Sequence, residues 1–262
     1  MTGVLIRFKV FFQYNNLLKK LVARDVKVRY RKSFLGMLWT VLNPLLMMGV
    51  MVVVFSNLFN TEVENYPVYV LTGMIVFGFF SESTNQALQS IIENAALIKK
   101  IYLPKYLFPM SRILSSLVNF FFSFVALLIV MITTKASFHW ALLYLPIPIF
   151  FLFIFSLGMG LLLSSVNVFF RDITHLYSGV LITALTYLTP LFYTESIVPN
   201  HFITYLRLNP MYHFVKLFRV VIIDGQIPSL TLNLTCFLLG IVFLMVGIFS
   251  FRNLQDRFIL YI

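Results

Sequence analysis

Hydrophobic residues in this chain occur in long runs, separated by shorter and more polar stretches. A helix of about 20 apolar residues crosses the hydrocarbon core of a bilayer, so each run of that length predicts one membrane span. Six runs qualify, namely Gly36 to Phe59, Val68 to Ser90, Ile113 to Ile132, Ala141 to Val166, Leu176 to Tyr193 and Leu230 to Phe251. The pattern predicts an all-α membrane protein with six transmembrane helices in a domain over residues 36–262.

The second run has a polar second half. Its apolar part, Val68 to Phe80, would rise about 20 Å as a helix, which is too short for a bilayer, so the helix has to continue through SESTNQALQS. An ionisable group at that depth costs on the order of 3 kcal/mol unless it faces protein or water. This face therefore lines a candidate pathway or hydrogen-bonds a neighbouring helix, and both alternatives remain open. Helical spacing puts four polar residues on it, namely Glu82, Asn85, Gln86 and Gln89.

Residues 1–35 are predicted to form a cytoplasmic N-terminal segment with an amphipathic helix. On a helical wheel of residues 17–31, Lys20, Arg24, Lys27 and Arg31 fall on one narrow arc, and apolar residues occupy about half of the circumference. Such a helix lies along the inner leaflet with its cations toward headgroups. Asp25 and Arg29 are four residues apart and are expected to pair. The alternative is a solvated charge cluster that only sets topology. The cations expected at the interface are Arg24, Lys27, Arg29, Arg31 and Lys32.

Composition agrees with a membrane protein, because 60% of the residues are hydrophobic, 11% are charged and the mean hydropathy is +0.92. A net charge of +11 could indicate nucleic acid in a soluble protein. Here the basic clusters border apolar runs, which excludes nucleic acid as the expected partner and indicates membrane lipid and the positive-inside rule instead. Most Lys and Arg residues precede the first run or follow the second, fourth and sixth. We therefore expect a multi-pass protein of the cytoplasmic (inner) membrane with both termini in the cytoplasm.

Two segments between runs carry their own helical patterns. Between the fifth and sixth runs, Pro199 and Pro210 divide an apolar segment into two predicted short helices that dip into the outer membrane edge as re-entrant helices. Between the second and third runs, a short basic pattern in ENAALIKKIYLPKYLFPMSR ends at Pro104. This second pattern suits docking to a soluble partner, or else a solvated loop helix.

Motifs for catalysis are missing from the sequence. It contains no Gly-rich Lys-Ser/Thr loop for nucleotide phosphate, no His-Glu-x-x-His pair and no Gly-x-Ser-x-Gly elbow. Its single cysteine, Cys236, excludes an intrachain disulfide. The histidines are spread over separate inter-span loops and are expected at the membrane interface rather than on a metal. We expect no catalytic and no metal site in this chain, so any energy source must lie elsewhere.

Several stretches together resemble one known family. The stretch LVARDVKVRYRKSFLGMLWTVLNPLL resembles the amphipathic helix and first span of the type-2 ABC permeases. These permeases export lipid-linked polysaccharide and include O-antigen and wall teichoic acid transporters. Their coupling region is similar to NAALIKKIYLPKYLFP, and their cytoplasmic turn to VFFRDI. The end of their fifth span is similar to LTPLFY, and the segment before their last span to LNPMYHFVKLFR. The order matches through nearly the whole chain.

The resemblance implies a half-transporter. Two copies of the chain would form a homodimeric membrane domain above two copies of a separate cytoplasmic ABC ATPase, which would bind ATP and Mg, so that this chain holds no cofactor. A coupling region at about residues 93–105 would receive the motion of the ATPase, through Asn94, Ile98, Lys99, Lys100 and Pro104. An outer gate of two helices at about residues 197–223 would present Tyr212, Phe214 and Phe218.

The resemblance also implies that the glycan passes between the two copies while its lipid stays near the bilayer. Aromatic residues make up 17% of the chain, and their rings can stack on the apolar faces of sugars. Arg24, Arg29 and Arg31 are candidates to meet a diphosphate headgroup. The nearest alternative is a type-2 permease for a drug or small lipid. A stand-alone channel or secondary transporter would predict internal repeats, and a lipid-carrier transferase would need clustered carboxylates.

Overall fold

The computed structural model describes residues 14–29, 34–59, 63 and 65–262, and every element of secondary structure in those residues is helical. The N-terminal helix α1 spans Asn15–Arg29, and the predicted interfacial cations Arg31 and Lys32 lie outside the described residues. The remaining helices are α2 (Trp39–Phe59), α3 (Tyr66–Glu93), α4 (Ala95–Lys100), α5 (Leu107–Thr133), α6 (Pro146–Asn167), α7 (Ile173–Leu188), α8 (Asn200–Leu208), α9 (Pro210–Ile222), α10 (Leu230–Leu254) and α11 (Phe258–Tyr261). The predicted all-α class is confirmed.

Four described helices are long and apolar enough to cross a membrane, and they are Gly36–Phe55, Leu107–Thr133, Trp140–Asn167 and Leu230–Tyr261. These segments contain α2, α5, α6 and α10. Two of the six predicted runs are not among them. Helix α3 has 28 residues but carries the polar stretch in its second half, and α7 is a shorter apolar helix. The middle of α7, Leu176–Leu181, is a π-helix.

Helix α3 is the centre of the bundle, in contact with α2, α5, α6 and α9. It continues without interruption from Tyr66 to Glu93, so the prediction that the second run extends through its polar stretch is confirmed. Phe80 on α3 stacks on Phe155 of α6 at 5.3 Å between ring centroids, and Phe155 lies 4.9 Å from Phe214 of α9. Because lipid tails are as apolar as these side chains, close packing rather than escape from water holds the helices together.

Glycines set the closest helix crossing, between α6 and α10. A Cβ atom added at Gly158 would overlap the backbone of Phe243 and Leu244, and one added at Gly247 would overlap the backbone of Gly158. Gly160 faces α3 and α5, where its Cβ would lie 2.8 Å from Ala87. Small residues at these positions let the helix backbones approach closely.

Helix α1 packs on α5 instead of lying free on the surface. Leu18 and Leu21 are buried against Leu107 at the start of α5. The predicted Asp25–Arg29 pair is wrong, because Asp25 faces α5 and binds other partners. Arg29, on a different side of α1, pairs with Glu82 of α3. Protein therefore covers part of the apolar side that we expected among lipid chains, while Val28 stays 60% exposed.

Candidate functional site

The predicted pathway face of α3 divides between three environments. Glu82 Oε1 accepts hydrogen bonds from Gln86 on the same helix at 3.0 Å and from Ser116 and Asn119 of α5 at 3.1 and 3.0 Å. Asn85 instead accepts a hydrogen bond from Ser178 in the π-helical part of α7, at 2.5 Å. Gln89 is exposed. The structure thus brings Glu82 and Gln86 together and turns Asn85 and Gln89 elsewhere.

Glu82 also lines a cavity of about 500 Å³ between the end of α1 and helices α2, α3 and α5. Arg29 enters this cavity from α1 and forms an ion pair with Glu82. The rest of the lining is mixed, with the apolar side chains joined by Thr40, Asn43, Ser116, Asn119 and Ser123. The carboxylate both lines a cavity and hydrogen-bonds a neighbouring helix, so each of the two alternatives left open by the sequence describes part of the arrangement. Its role as a pathway residue remains a prediction.

The partners on α5 were missed by the sequence reading. Ser116 and Asn119, which donate to Glu82, and Ser123, which donates to the carbonyl oxygen of Thr40, stand at helical spacing within a mostly apolar run. The polar residues around Glu82 follow the same kind of spacing on α3. Two apolar helices with matching polar faces are expected to pair through those faces, because unsatisfied polar groups are costly in a bilayer. That signal could have been read from the sequence.

The predicted coupling segment forms a short exposed helix at the end of α3. The carbonyl oxygen of Asn94 accepts hydrogen bonds from the amides of Leu97 and Ile98 at 3.0 Å, which starts α4. Ile98 is buried and anchors the helix in an apolar cluster with Phe108 and Phe258. Lys99 and Lys100 are exposed, and Pro104 is half-buried in the turn that follows. Two residues after Lys100, Tyr102 is 98% exposed, a feature that the sequence did not single out.

A network of charged side chains joins α1 to this segment. Asp25, buried on α1, accepts hydrogen bonds from Arg24 at 3.0 and 3.1 Å and lies 3.6 Å from Arg112 at the start of α5. Arg112 in turn binds Glu93 at 2.6 Å, one residue before Asn94. Arg24 also donates to the Asn94 side chain at 3.4 Å. Of the predicted interfacial cations in the described chain, Arg24 and Arg29 are thus engaged with protein, and Lys27 is exposed.

The C-terminal end of the chain supports the same face. Lys105 donates to the carbonyl oxygen of Gln255 at 2.5 Å, and its ammonium lies 5.7 Å from the centre of the Phe258 ring. Burial lowers the pKa of the Lys105 ammonium, and the nearby Asp256 carboxylate opposes that change. The turn after α4 is therefore fixed to the end of α10 and to α11.

The predicted outer gate residues are all buried. Tyr212, Phe214 and Phe218 lie on α9, which packs against α3 in the main core. The two helices predicted around Pro199 and Pro210 are present as α8 and α9. The sequence reading did not anticipate that Arg219 would be buried with them, since a cation in an amphipathic segment is normally placed at the surface.

No group of three or more His, Cys, Asp or Glu side chains within the described ranges could hold a metal ion. The charged residues of the site instead pair with one another, and such pairing lets charges persist within a bilayer. The arrangement can bind and reposition polar groups next to lipid.

The sequence matches known transporters over most of its length. Residues 16–223 match the family described as ABC-2 type transporter. The chain is 29% identical over 248 residues to the O-antigen export system permease protein RfbA of Klebsiella pneumoniae, covering 93% of each chain. It is 28% identical over 249 residues to a protein of that name from Myxococcus xanthus, covering 94% of this chain and 95% of the other. It is 25% identical over 244 residues to the polysialic acid transport protein KpsM of Escherichia coli, and the match covers 90% of this chain and 92% of that protein.

Proposed function

Because this chain belongs to the ABC-2 type transporter family, we propose that it is the permease subunit of an ATP-driven exporter of lipid-linked polysaccharide in the cytoplasmic membrane. One observation carries the proposal: O-antigen export permeases and a polysialic acid transport protein align with this chain over at least nine tenths of its length. Those relatives favour a polysaccharide over a drug or small lipid as the substrate. They also favour O-antigen or capsule-type polymers over teichoic acid.

The proposed topology has six spans with both termini in the cytoplasm. Helix α3, at 28 residues, rises about 42 Å, which is enough to cross a bilayer despite its polar face. The Glu82 carboxylate on this face is paired with Arg29, which lowers the cost of placing it within the bilayer. Helix α7 is shorter and would complete its crossing with the turn that follows it, which includes Pro190. Helices α8 and α9 would then form the re-entrant outer gate.

An ABC ATPase is the proposed source of energy, and it would supply the ATP and Mg sites that this chain is not expected to have. Helix α4 supports docking, because it presents Lys99 and Lys100 on its exposed side while Ile98 fixes it to the bundle. The ion pairs between Asp25, Arg112 and Glu93 connect α1 to the end of α3, directly before α4 begins. Motion of the ATPase would therefore reach α1 and α3 together.

The proposed permease is a homodimer with the glycan pathway between the two copies. Helix α2 supports a dimer, because none of its described side chains is fully buried within one chain and a second copy could cover them. The Glu82 cavity opens beside α2 and contains the Arg29 cation, which suits an anionic headgroup at the inner leaflet. In this proposal the diphosphate competes with Glu82 for Arg29 as the lipid-linked substrate enters.

Depletion of this chain in its source organism tests the proposed function. Lipid-linked polymer should accumulate inside the cell and disappear from the surface, as measured by immunoblots of intact and lysed spheroplasts with and without added glycosidase. Restoring the chain should reverse both effects, whereas restoring it beside an ATPase unable to hydrolyse ATP should not. Normal surface polymer, together with lost export of a drug or small lipid, would refute the proposal.

A further inference from the structure

A second cavity, of about 300 Å³, lies at the N-terminal end of α3, whereas the predicted coupling segment follows the C-terminal end of that helix. It is formed by the first turn of α3, the turn after α7 and one side of α9. Tyr69 is 25 residues before Asn94, so about 37 Å of helix separates this cavity from the start of α4. We refer to it as the outer cavity. Its polar lining residues are Tyr69, Thr194, Glu195, Tyr212, Lys216, Arg219 and Asp224.

Arg219 fixes the wall of the outer cavity. Its guanidinium is buried and donates to the carbonyl oxygens of Pro190 at 2.6 Å, Leu191 at 3.1 Å and Tyr69 at 3.3 Å. The same group lies 3.5 Å from the centre of the Tyr69 ring. Gly73 makes room for it, because a Cβ atom there would lie 2.8 Å from an Arg219 nitrogen. One side chain thus joins α9, α3 and the turn after α7, which is the rigid support that a binding site requires.

Burial of Arg219 is costly, which argues that it does more than fill space. Its Nε atom is buried and has no hydrogen-bond partner among the described residues. An unsatisfied buried donor on a charged group is destabilising, and an apolar side chain of similar size would avoid that cost. A destabilising residue of this kind is expected where the arrangement that it holds, here the wall of the outer cavity, serves a function.

The other polar groups of the cavity retain capacity for a ligand. Lys216 lies 3.5 Å from Glu195 and donates to the Tyr212 hydroxyl at 3.2 Å, which leaves one of its three hydrogens. Each carboxylate of Glu195 and Asp224 has about four acceptor positions. Burial raises the pKa of the Asp224 carboxyl, and the Lys216 ammonium opposes that rise. The negative charges of Glu195 and Asp224 balance the positive charges of Lys216 and Arg219, so the cavity is close to neutral.

These features match the surface of a sugar ring better than that of an anion. A pyranose presents C–H groups to tyrosine rings and hydroxyl groups that donate to carboxylates and accept from an ammonium. A phosphate or carboxylate would meet two acids. The volume lies at the lower end of the range for small-molecule pockets, which suits one sugar unit rather than a polymer segment.

We propose that the outer cavity binds a single neutral pyranose unit of the exported polymer, an inference that rests on the proposed function. The sugar would contact Tyr69 and hydrogen-bond with Glu195, Lys216 and Asp224. Such a subsite retains the polymer at the outer end of the protein between ATPase cycles.

Saturation-transfer NMR on the purified full-length permease with its ATPase, in nanodiscs, tests this proposal. The probes are the methyl pyranosides of mannose, glucose, galactose and rhamnose. At least one should receive saturation, and its Kd should rise about tenfold in Glu195→Gln/Asp224→Asn, because two hydrogen bonds to charged groups become neutral. The matched control, Asp172→Asn/Asp256→Asn, removes two exposed acids elsewhere and should leave the Kd unchanged. If the first double variant fails to assemble, Lys216→Gln replaces it with the same expectation.

Three results would overturn the subsite. They are no saturation of any pyranoside, equal Kd values in wild type and the site variant, and displacement of the sugar by inorganic phosphate. The depletion experiment separates this inference from the proposed function. Lost export on depletion without pyranoside binding refutes the subsite alone, whereas pyranoside binding with unaffected polymer export refutes the proposed function.

Discussion

Asp25 provides a direct test of how α1 is held against the bundle. Its side chain is 4% exposed, with Arg24 at 3.0 Å and Arg112 at 3.6 Å. Asp25→Asn keeps the shape but replaces one acceptor oxygen with an NH2 group that faces a cation. A hydrogen bond to a charged group contributes about 1.5–3 kcal/mol, and the remaining oxygen preserves part of one such bond, so we expect a net loss of about 2 kcal/mol in the free energy that holds α1 on α5.

A loss of about 2 kcal/mol corresponds to roughly a 30-fold rise in the fraction of open α1. Hydrogen exchange of the nanodisc-embedded protein should therefore show faster exchange of the α1 amides by about that factor, with α5 amides unchanged. Asp172→Asn, which removes an exposed carboxylate elsewhere, is the control and should not change α1. Unchanged α1 exchange in well-folded Asp25→Asn protein would mean that Leu18 and Leu21, rather than the ion pairs, hold the helix, and the reasoning would be wrong.

Three further outcomes are expected. Glu82→Leu should reduce polymer export severalfold at a normal protein level, and unchanged export by the stable variant would exclude a pathway role. Gly158→Ala should lower the thermal midpoint of the purified complex, because overpacking against α10 costs about 1–3 kcal/mol of stability, whereas Gly78→Ala, with open space at its Cβ, should not. With the single cysteine replaced, an impermeant maleimide added to spheroplasts should label Ser196→Cys and not Lys100→Cys; the reverse pattern would invert the proposed topology.

The membrane class and the positions of most helices followed from the sequence, because both depend on local chain properties. Runs of about 20 apolar residues can satisfy their backbone only as helices in lipid. The polar stretch after Phe80 could be assigned to the same helix because 13 apolar residues are too few for a crossing. Pro199 and Pro210 marked α8 and α9 correctly, since proline lacks the amide that a helix interior requires.

Side-chain partners were less predictable. Asp25 and Arg29 have the right spacing to pair within α1, yet each binds a residue on another helix. Pairing within one helix contributes only about 0.2–0.5 kcal/mol, so contacts made by packing against α3 and α5 override it. The polar face on α5 is visible in the sequence, but the sequence does not show which helix that face contacts.

The helical class, the membrane location and the basic ends of the apolar runs could all be derived from the amino-acid sequence, because each depends on residues close together in the chain. The pairing of Glu82 with Arg29 and the burial of Arg219 under Tyr69 depend instead on how the helices pack. The same holds for the link that Asp25 makes, through Arg112 and Glu93, between α1 and the predicted coupling segment. These contacts join residues far apart in sequence, and a helical face can present the same polar side chain to lipid, water or protein until its neighbours are in place.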